Sequence, residues 1–449
     1  MLKAKSIVSS LFLIASFYYQ AQDYKQVPEW SKDAVMYELN VRQFSSEGTF
    51  EAIYDELPRL KKMGVDIIWL MPIHPIGELN RKGSKGSYYA VKDYKKINPF
   101  FGNESSFKKL VQLTHSQGMK LIIDWVANHT SPDNIWIEQG HLDWYTLDSI
   151  GGVQPPPGTD WWDVSDLNYD NMDMRSAMID AMEYWVREFD IDGYRCDVAG
   201  WVPVDFWNDA RKALDKIKPV FMLAEDEGEK LHDLAFDMTY GWEFHHIMNE
   251  VAKKHMNADS IIAYFERERK RFASNAYRLH FTSNHDENSW NGTEYERMGK
   301  GAECFAVLSS TIHGMPLIYN GQESSFNRRL EFFEKDSIDW GTFDKNTFYN
   351  TLFKFKKENP ALWNGDFGAF PEFIETGNPN VLLFKRVKGD NCVIGLFNLS
   401  ESKQNVKFKC DNCKGTYKEL FSDESFSMSC KKNKVSLDAW EFKVYSTNE

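Results

Sequence analysis

Between residues 34 and 321, short apolar runs alternate with segments in which apolar residues recur every three to four positions. Runs of the first kind are typical of buried strands, and the second pattern is typical of amphipathic helices that cover a sheet. The pattern predicts eight strands, at residues 35–44, 64–72, 120–124, 190–197, 220–225, 236–238, 277–283 and 316–319. Helical periodicity lies between them, at residues 50–63, 106–117, 174–188, 205–217, 302–313 and 346–357, with further helical segments before residue 272. The chain is therefore predicted to form an α/β (β/α)8 TIM barrel, in which functional groups sit at the C-terminal ends of the strands.

Two regions depart from this rhythm. Residues 130–165 are rich in Pro, Gly, Asp and Trp, and such a long excursion inside a compact domain is usually functional. After Pro360 the pattern changes to alternation of period two, with a hairpin predicted at residues 381–399 and further strands at 405–409, 417–421 and 434–445. We therefore predict a barrel at residues 22–129 and 166–362, an insertion after strand three at 130–165, and a C-terminal antiparallel β-sandwich at 363–449.

The first residues have the pattern of a secretory signal peptide. Lys3 and Lys5 precede an apolar stretch at residues 7–19, and Ala21 offers a small residue for cleavage. We predict a signal peptide at residues 1–21 and a secreted or periplasmic protein; an uncleaved N-terminal anchor is the alternative. No later apolar run approaches the roughly 20 residues of a membrane span, so we expect no membrane partner after cleavage.

The formal net charge of −13 argues against nucleic acid or an anionic membrane as partner, and the oligomeric state stays open. Two of the six cysteines, Cys196 and Cys304, lie in a strand and a helix and are predicted to be buried thiols. Four others, Cys392, Cys410, Cys413 and Cys430, lie close together near the C-terminus. A single Cys-x-x-Cys is weak evidence for zinc, and we predict a disulfide among these four without assigning the pairing.

Carboxyl and imidazole side chains lie at or just beyond the ends of four predicted strands. They belong to Asp124 and His129 around strand three, Asp197 in strand four, Glu225 in strand five, and His285 and Asp286 after strand seven. Arg195 points to the same side of its strand as Asp197 and can hold that carboxylate ionised. These side chains are expected to converge on one rim of the barrel.

Two reaction classes use such a cluster. A metal hydrolase would take His and Asp as ligands, often with a His pair from the first strand, but the first strand here contains no His and Arg195 would compete with the metal. Glycoside cleavage needs one carboxylate nucleophile and a second carboxyl that stays protonated. The abundance of aromatic residues, with 15 Trp and 20 Tyr, is consistent with sugar stacking. We favour glycoside cleavage.

Separated motifs along the chain resemble the conserved regions of the α-amylase superfamily, glycoside hydrolase family 13. The matching segments, in the family's order, are DWVANH at 124–129, DLN at 166–168, GYRCDV at 193–198, AE at 224–225, SNHD at 283–286 and GMPLIYNGQE at 314–323. The resemblance covers essentially all of the mature chain, and it identifies the insertion with the family's domain B and the last sandwich with its domain C.

The resemblance implies specific roles. Asp197 would be the nucleophile, Glu225 the acid and base, and Asp286 a ligand of the ring hydroxyls that favours the distorted sugar. Arg195 would hold Asp197 anionic, while His129 and His285 would hydrogen-bond the sugar and Tyr89 would stack on it. Net retention would follow from two inversions. Asp124 is interpreted as structural, and Trp161 and Trp162 as either sugar-stacking or packing residues.

The chain also departs from the family pattern. Residues 198–201 read Val-Ala-Gly-Trp, where many α-amylases carry a Lys-His pair on the acceptor side. The chemistry requires no cofactor. A structural calcium ion is an option, because Asn128 matches its first ligand, although the His that lends a carbonyl to that site is missing.

The resemblance implies an enzyme that hydrolyses α-1,4-glucosidic bonds of starch or maltooligosaccharides. An α-glucan transglycosylase, or an α-glucosidase or trehalose-synthase type of enzyme, is the alternative. A sugar-binding relative without activity is disfavoured because all three acids are present. Endo against exo attack and the preferred chain length stay open.

Overall fold

The computed structural model describes residues 27–422 and 424–447. The predicted signal peptide, residues 1–21, lies outside these ranges. Within them, no helix is long and apolar enough to cross a membrane.

Eight parallel strands close into a barrel in which each strand pairs with its neighbours along the chain and the last pairs with the first. They are β1 Met36–Leu39, β2 Ile67–Leu70, β3 Lys120–Trp125, β4 Gly193–Cys196, β5 Phe221–Ala224, β6 Met238–Tyr240, β7 Tyr277–His280 and β8 Met315–Tyr319. The predicted barrel is confirmed. Five strands are shorter than predicted, β3 and β8 are each one residue longer, and β6 begins and ends two residues later than predicted.

The α-helices that surround the barrel and join its strands are Val41–Phe44, Glu51–Tyr54, Leu57–Met63, Glu104–Ser116, Ile135–Glu138, Met172–Phe189, Val204–Asp215, Trp242–Ala252, Ala258–Arg271, Glu294–Met298, Ala302–Thr311 and Asn346–Glu358. A π-helical turn covers Glu287–Asn291, and short 3-10 helices lie at Glu29–Ser31, Leu142–Trp144, Ala199–Trp201, Glu229–His232, Gly299–Gly301, Gln322–Ser324, Pro360–Leu362 and Gly365–Phe367. Local sequence sets some of these ends. Asn103 accepts from the backbone N–H groups of Ser105 and Ser106 at one helix start, and Asn171 accepts from Asp173 and Met174 at another.

The first strand was predicted to run through residue 44, which is wrong. It ends at Leu39, and residues Val41–Phe44 form a helical turn. A contact with a distant part of the chain ends the strand: the backbone N–H of Asn40 donates to the side-chain oxygen of Asn320 at 2.6 Å and not to a neighbouring strand.

Two hydrophobic cores follow from the alternation within the strands. Met36 and Ile67 point into the barrel interior, where they join apolar residues of the other strands. Tyr37 and Ile68, the residues that follow them, point outward to the surrounding helices. Each strand therefore has an apolar residue on both faces, which is why it reads as an uninterrupted apolar run.

The excursion after β3 is closed at its base by a short antiparallel pair. His129–Thr130 pairs with Ser165–Asp166, so residues 131–164 project from the C-terminal rim of the barrel. The same pairing brings His129 back over the rim, beside the strand ends.

The C-terminal region forms a six-stranded antiparallel sheet and a two-stranded one that share an apolar core. The larger sheet contains, in spatial order, Glu372–Phe373, Val381–Lys388, Asn391–Asn398, Phe442–Ser446, Gly415–Glu419 and Ser425–Met428, and the smaller contains Gln404–Phe408 and Asn433–Leu437. The predicted single strand at 434–445 is two strands, because Asp438 turns the chain by donating its N–H to Glu441. The strands at Glu372–Phe373 and Ser425–Met428 were missed.

The cysteines follow the sequence interpretation. Cys196 and Cys304 are buried thiols. Among the four C-terminal cysteines, Cys410 and Cys413 form a disulfide, whereas Cys392 and Cys430 are free thiols.

Candidate active site

One buried guanidinium organises the carboxyl groups at the rim. Arg195, in β4, has no solvent exposure, and its Nη1 lies 2.8 Å from Oδ1 of Asp197 and 2.9 Å from Oδ1 of Asp124. Its Nη2 lies 2.9 Å from Oε2 of Glu225. A single cation thus holds three carboxyl groups from the ends of β3, β4 and β5, because parallel neighbouring strands bring their C-terminal ends together. The expected bracing role of Asp124 agrees with this contact.

Three carboxyl groups around one cation cannot all ionise cheaply in a buried site. Burial, together with the negative charges of Asp197 and Asp286, raises the pKa of Glu225 to about 8, although Arg195 opposes the shift. Burial likewise raises the pKa of Asp124 to about 7, against the lowering effect of Arg195. The raised pKa favours the protonated form of Glu225 at neutral pH, which is the form that a general acid requires.

The backbone beside Asp197 also holds Glu225. The N–H of Val198 donates to Oε2 of Glu225 at 2.9 Å. Val198 has φ +35° and ψ +46°, a left-handed conformation that is a true outlier for a β-branched residue. Strain of this kind persists where the surrounding structure demands it, commonly at functional sites. Because Oε2 already accepts this bond and faces Arg195, Oε1 is the oxygen left to carry the proton.

A second buried pair positions His285. Its Nδ1 lies 2.5 Å from Oε1 of Glu38, in β1, and its Nε2 lies 2.8 Å from the hydroxyl of Tyr89 and 3.4 Å from Oδ2 of Asp286. The nearby carboxylates Asp286 and Glu38 raise the pKa of His285 to about 9 against the opposing effect of burial. His285 is therefore a cation at neutral pH, and it links the first strand to Asp286.

A cavity of about 540 Å³ opens above these groups. Asp197, Glu225 and Asp286 line it together with Tyr89, His129 and His285, so the structure brings together the six predicted catalytic and sugar-contacting residues. Arg195 lies beneath them, where it contacts the three carboxyl groups and donates through Nε to the hydroxyl of Tyr240 at 3.2 Å. Three carboxyl groups lie close together in this cavity, and aromatic rings line the rest of its wall. Such a cavity suits a neutral polyhydroxy ligand better than an anion.

Several residues of this site were not predicted from the sequence. Glu38 was not recognised, although an acid inside an otherwise apolar strand was a signal for it. Trp290, Phe332 and Phe333 line the cavity from segments without a strand or helix pattern around them, and only the tertiary structure places them there.

Asn128 is the residue at which the sequence offers a ligand for a structural calcium ion. Its side-chain nitrogen contacts Nδ1 of His129 at 3.2 Å. Across residues 27–422 and 424–447, no group of three or more His, Cys, Asp or Glu side chains is placed to hold a metal ion. The option of calcium at Asn128 stays a prediction.

Comparison with known proteins gives consistent results. Residues 16–364 match the family model described as the catalytic domain of alpha amylase. The chain is 25% identical to alpha-amylase 2 of Dictyoglomus thermophilum over 92% of its own length and 76% of that protein. It is similar in structure to an alpha-amylase of Lactobacillus plantarum, with 30% identity and a TM-score of 0.83, and to a maltogenic alpha-amylase of Thermotoga neapolitana, with 27% identity and a TM-score of 0.84. Each alignment covers 93% of this chain and 99% of the other. With the family model matching more than half of its length, this chain belongs to the α-amylase family of glycosidases.

Proposed function

We propose that the protein hydrolyses α-1,4-glucosidic bonds of starch or maltooligosaccharides with retention of configuration. One observation carries the proposal: Arg195 contacts Asp197 through Nη1 and Glu225 through Nη2, and burial raises the pKa of Glu225 to about 8. A retaining glycosidase requires this pair. The names of the relatives described above support α-glucan as the substrate class.

In the first step, a carboxylate oxygen of Asp197 attacks the anomeric carbon, and the bond from that carbon to the glycosidic oxygen breaks. The proton on Glu225 moves to the departing oxygen, which leaves as the hydroxyl of the released sugar. As the proton leaves, Glu225 becomes anionic, and the neighbouring Nη2 of Arg195 stabilises the new charge.

In the second step, Glu225 takes a proton from water while the water oxygen attacks the anomeric carbon. The bond to Asp197 breaks and the carboxylate returns to its contact with Nη1 of Arg195. Two inversions give net retention. Asp286 and His285 line the same cavity and offer an acceptor and a charged donor for ring hydroxyls, and Tyr89 and His129 complete the wall.

A product time course on maltoheptaose and soluble starch tests the proposal. We expect short maltooligosaccharides of retained configuration from the wild type and none from Asp197→Asn. Failure of the wild-type protein to cleave any α-glucan would refute the substrate assignment.

Transglycosylation is the second candidate. A further cavity, adjoining the first at Val198 and Glu225, is large enough for a sugar acceptor to compete with water. Longer products than the substrate, appearing at high maltooligosaccharide concentration, would indicate this activity.

We also propose that the protein is exported, since residues 1–21 have the charge and apolar pattern of a signal peptide. N-terminal sequencing of protein recovered from the periplasm or the medium tests this, with a start near Gln22 expected. An intact N-terminus would refute cleavage.

A further inference from the structure

A second cavity is lined by Glu225 but not by Asp197, the group that attacks the sugar. Its volume is about 520 Å³, and Val198 and Glu225 line both cavities. Asp197, Asp286 and His285 line only the first. If Glu225 protonates the leaving oxygen, as the proposed function requires, the second cavity receives the sugar that leaves or the sugar that accepts.

Two stacked indoles form a continuous wall between the cavities. Trp161, from the excursion after β3, lines the first cavity, and Trp201, which closely follows Asp197 in the chain, lines the second. Their ring centroids are 5.6 Å apart with an interplanar angle of 20°. Trp161 also makes an edge contact with His129. This stack fixes the orientation of Trp201, and yet Trp201 remains 53% exposed.

The residue before Trp201 leaves room for a carboxylate. A Cβ atom on Gly200 would lie 2.0 Å from Oδ2 of Asp226, so a side chain at position 200 would displace Asp226. Oδ1 of Asp226 accepts from the N–H of Gly228 at 2.6 Å, which anchors that carboxylate in the cavity. The second cavity therefore presents an indole face and a fixed carboxylate.

An exposed indole beside a fixed carboxylate suits a neutral pyranose. The C–H face of a sugar ring is apolar and can cover an exposed indole, while its hydroxyls donate to a carboxylate. Arg271, the cation lining this cavity, donates through Nη2 to the backbone carbonyl of Glu227, so it does not favour an anionic ligand.

Resting on the proposed function, we propose that Trp201, oriented by Trp161, is a specificity-determining residue that binds the leaving or accepting sugar, with Asp226 accepting from its hydroxyls. Trp201 then contributes to reaction only when a sugar occupies the second cavity. It makes no contribution when the leaving group is too small to reach it.

The test compares two substrates with the same donor part. In maltotriose the leaving group is glucose, whereas in α-maltosyl fluoride it is fluoride, which makes no contact with Trp201. We expect Trp201→Ala to lower kcat/KM for maltotriose about 10-fold to 30-fold, the loss of one well-buried apolar contact, and to leave kcat/KM for the fluoride within about twofold. Trp201→Phe, which keeps a ring, should recover most of the loss.

Trp162→Ala is the matched control, because Trp162 is the neighbouring indole, is 65% exposed and lines neither cavity. It should leave both substrates unchanged. A second measurement supplies maltose as acceptor to α-maltosyl fluoride, and the ratio of transfer to hydrolysis should fall in Trp201→Ala but not in Trp162→Ala.

Equal losses of kcat/KM on both substrates in Trp201→Ala, or no loss on maltotriose, would overturn the inference. The proposed function would still stand in that case if the wild-type protein cleaves maltotriose. A wild-type protein that cleaves neither substrate would refute the proposed function and this inference with it.

Discussion

The pKa of Glu225 is the property on which the proposed chemistry depends most, and it can be tested directly. With a pKa of about 8, about nine in ten Glu225 carboxyl groups are protonated at pH 7. With the ordinary glutamate value, roughly one in 300 would be protonated at that pH. Burial beside Asp197 thus raises the population of the competent acid roughly 300-fold.

The sign of the pH dependence follows from the role of the proton. Cleavage requires Glu225 to be protonated, so kcat/KM should be nearly flat around pH 6 to 7 and fall tenfold per pH unit above a midpoint near 8. The assay is initial-rate hydrolysis of maltoheptaose from pH 5 to 10, with stability checked by circular dichroism at each pH. A descending midpoint near pH 5, or an undiminished rate at pH 10, would refute the assignment of this pKa to the essential acid.

The variant Glu225→Gln removes the proton and keeps the shape of the side chain. We expect kcat/KM for maltoheptaose to fall about 10²-fold to 10⁴-fold, equivalent to about 3–5.5 kcal/mol. With α-maltosyl fluoride the first step should survive, because fluoride departs without that proton, and a covalent adduct on Asp197 should accumulate and be visible by mass spectrometry. Retention of more than a tenth of the maltoheptaose activity would contradict the role of Glu225.

Three further predictions concern the groups that support the site. Arg195→Met leaves three carboxyl groups buried without their cation, so the free energy of unfolding measured by urea denaturation should fall by about 3–5 kcal/mol, and by less in Arg195→Lys. Equal stability of Arg195→Met and wild type would contradict the central position of this cation. Glu38→Gln keeps an acceptor for Nδ1 of His285 but removes a negative charge, so the pKa of His285 should fall from about 9 toward its ordinary value. An unchanged titration of His285 by NMR would show that Glu38 does not stabilise the proton on His285. Gly193→Ala places a Cβ 1.9 Å from the carbonyl oxygen of Phe221, at a φ of +151°, and should prevent folding or strongly lower the melting temperature. Gly140→Ala, which meets no atom within 4 Å, should cost only the strain of its positive φ. Similar melting temperatures for the two variants would refute the close approach of β4 and β5.

Much of the fold was determined by local sequence. Mostly apolar runs of four to six residues, separated by amphipathic periods, are sufficient to predict a barrel, because strands buried on both faces have apolar residues at most positions. An ionised side chain without a partner is costly inside a strand, so most of the acids lie where a strand ends. The acids inside β1 and β3, Glu38 and Asp124, each pair with a buried basic side chain. The positions of Asp197, Glu225 and Asp286 at one rim follow from the sequence in this way, whereas their catalytic roles were predicted from the resemblance to the α-amylase family motifs.

Other features were decided only by tertiary structure, because they depend on residues distant in the chain. Glu38 lies 247 positions from His285, and no local pattern indicates that β1 carries its counter-ion. Val198 has a left-handed backbone and donates its N–H to Glu225, which directly follows the next strand of the barrel. Nothing in the sequence indicates that Trp161 and Trp201 are in contact, and they stack only because the excursion after β3 folds over the rim. Periodicity reports which face of an element is buried, whereas these contacts depend on how the elements meet in space, and that is set by the closure of the whole barrel.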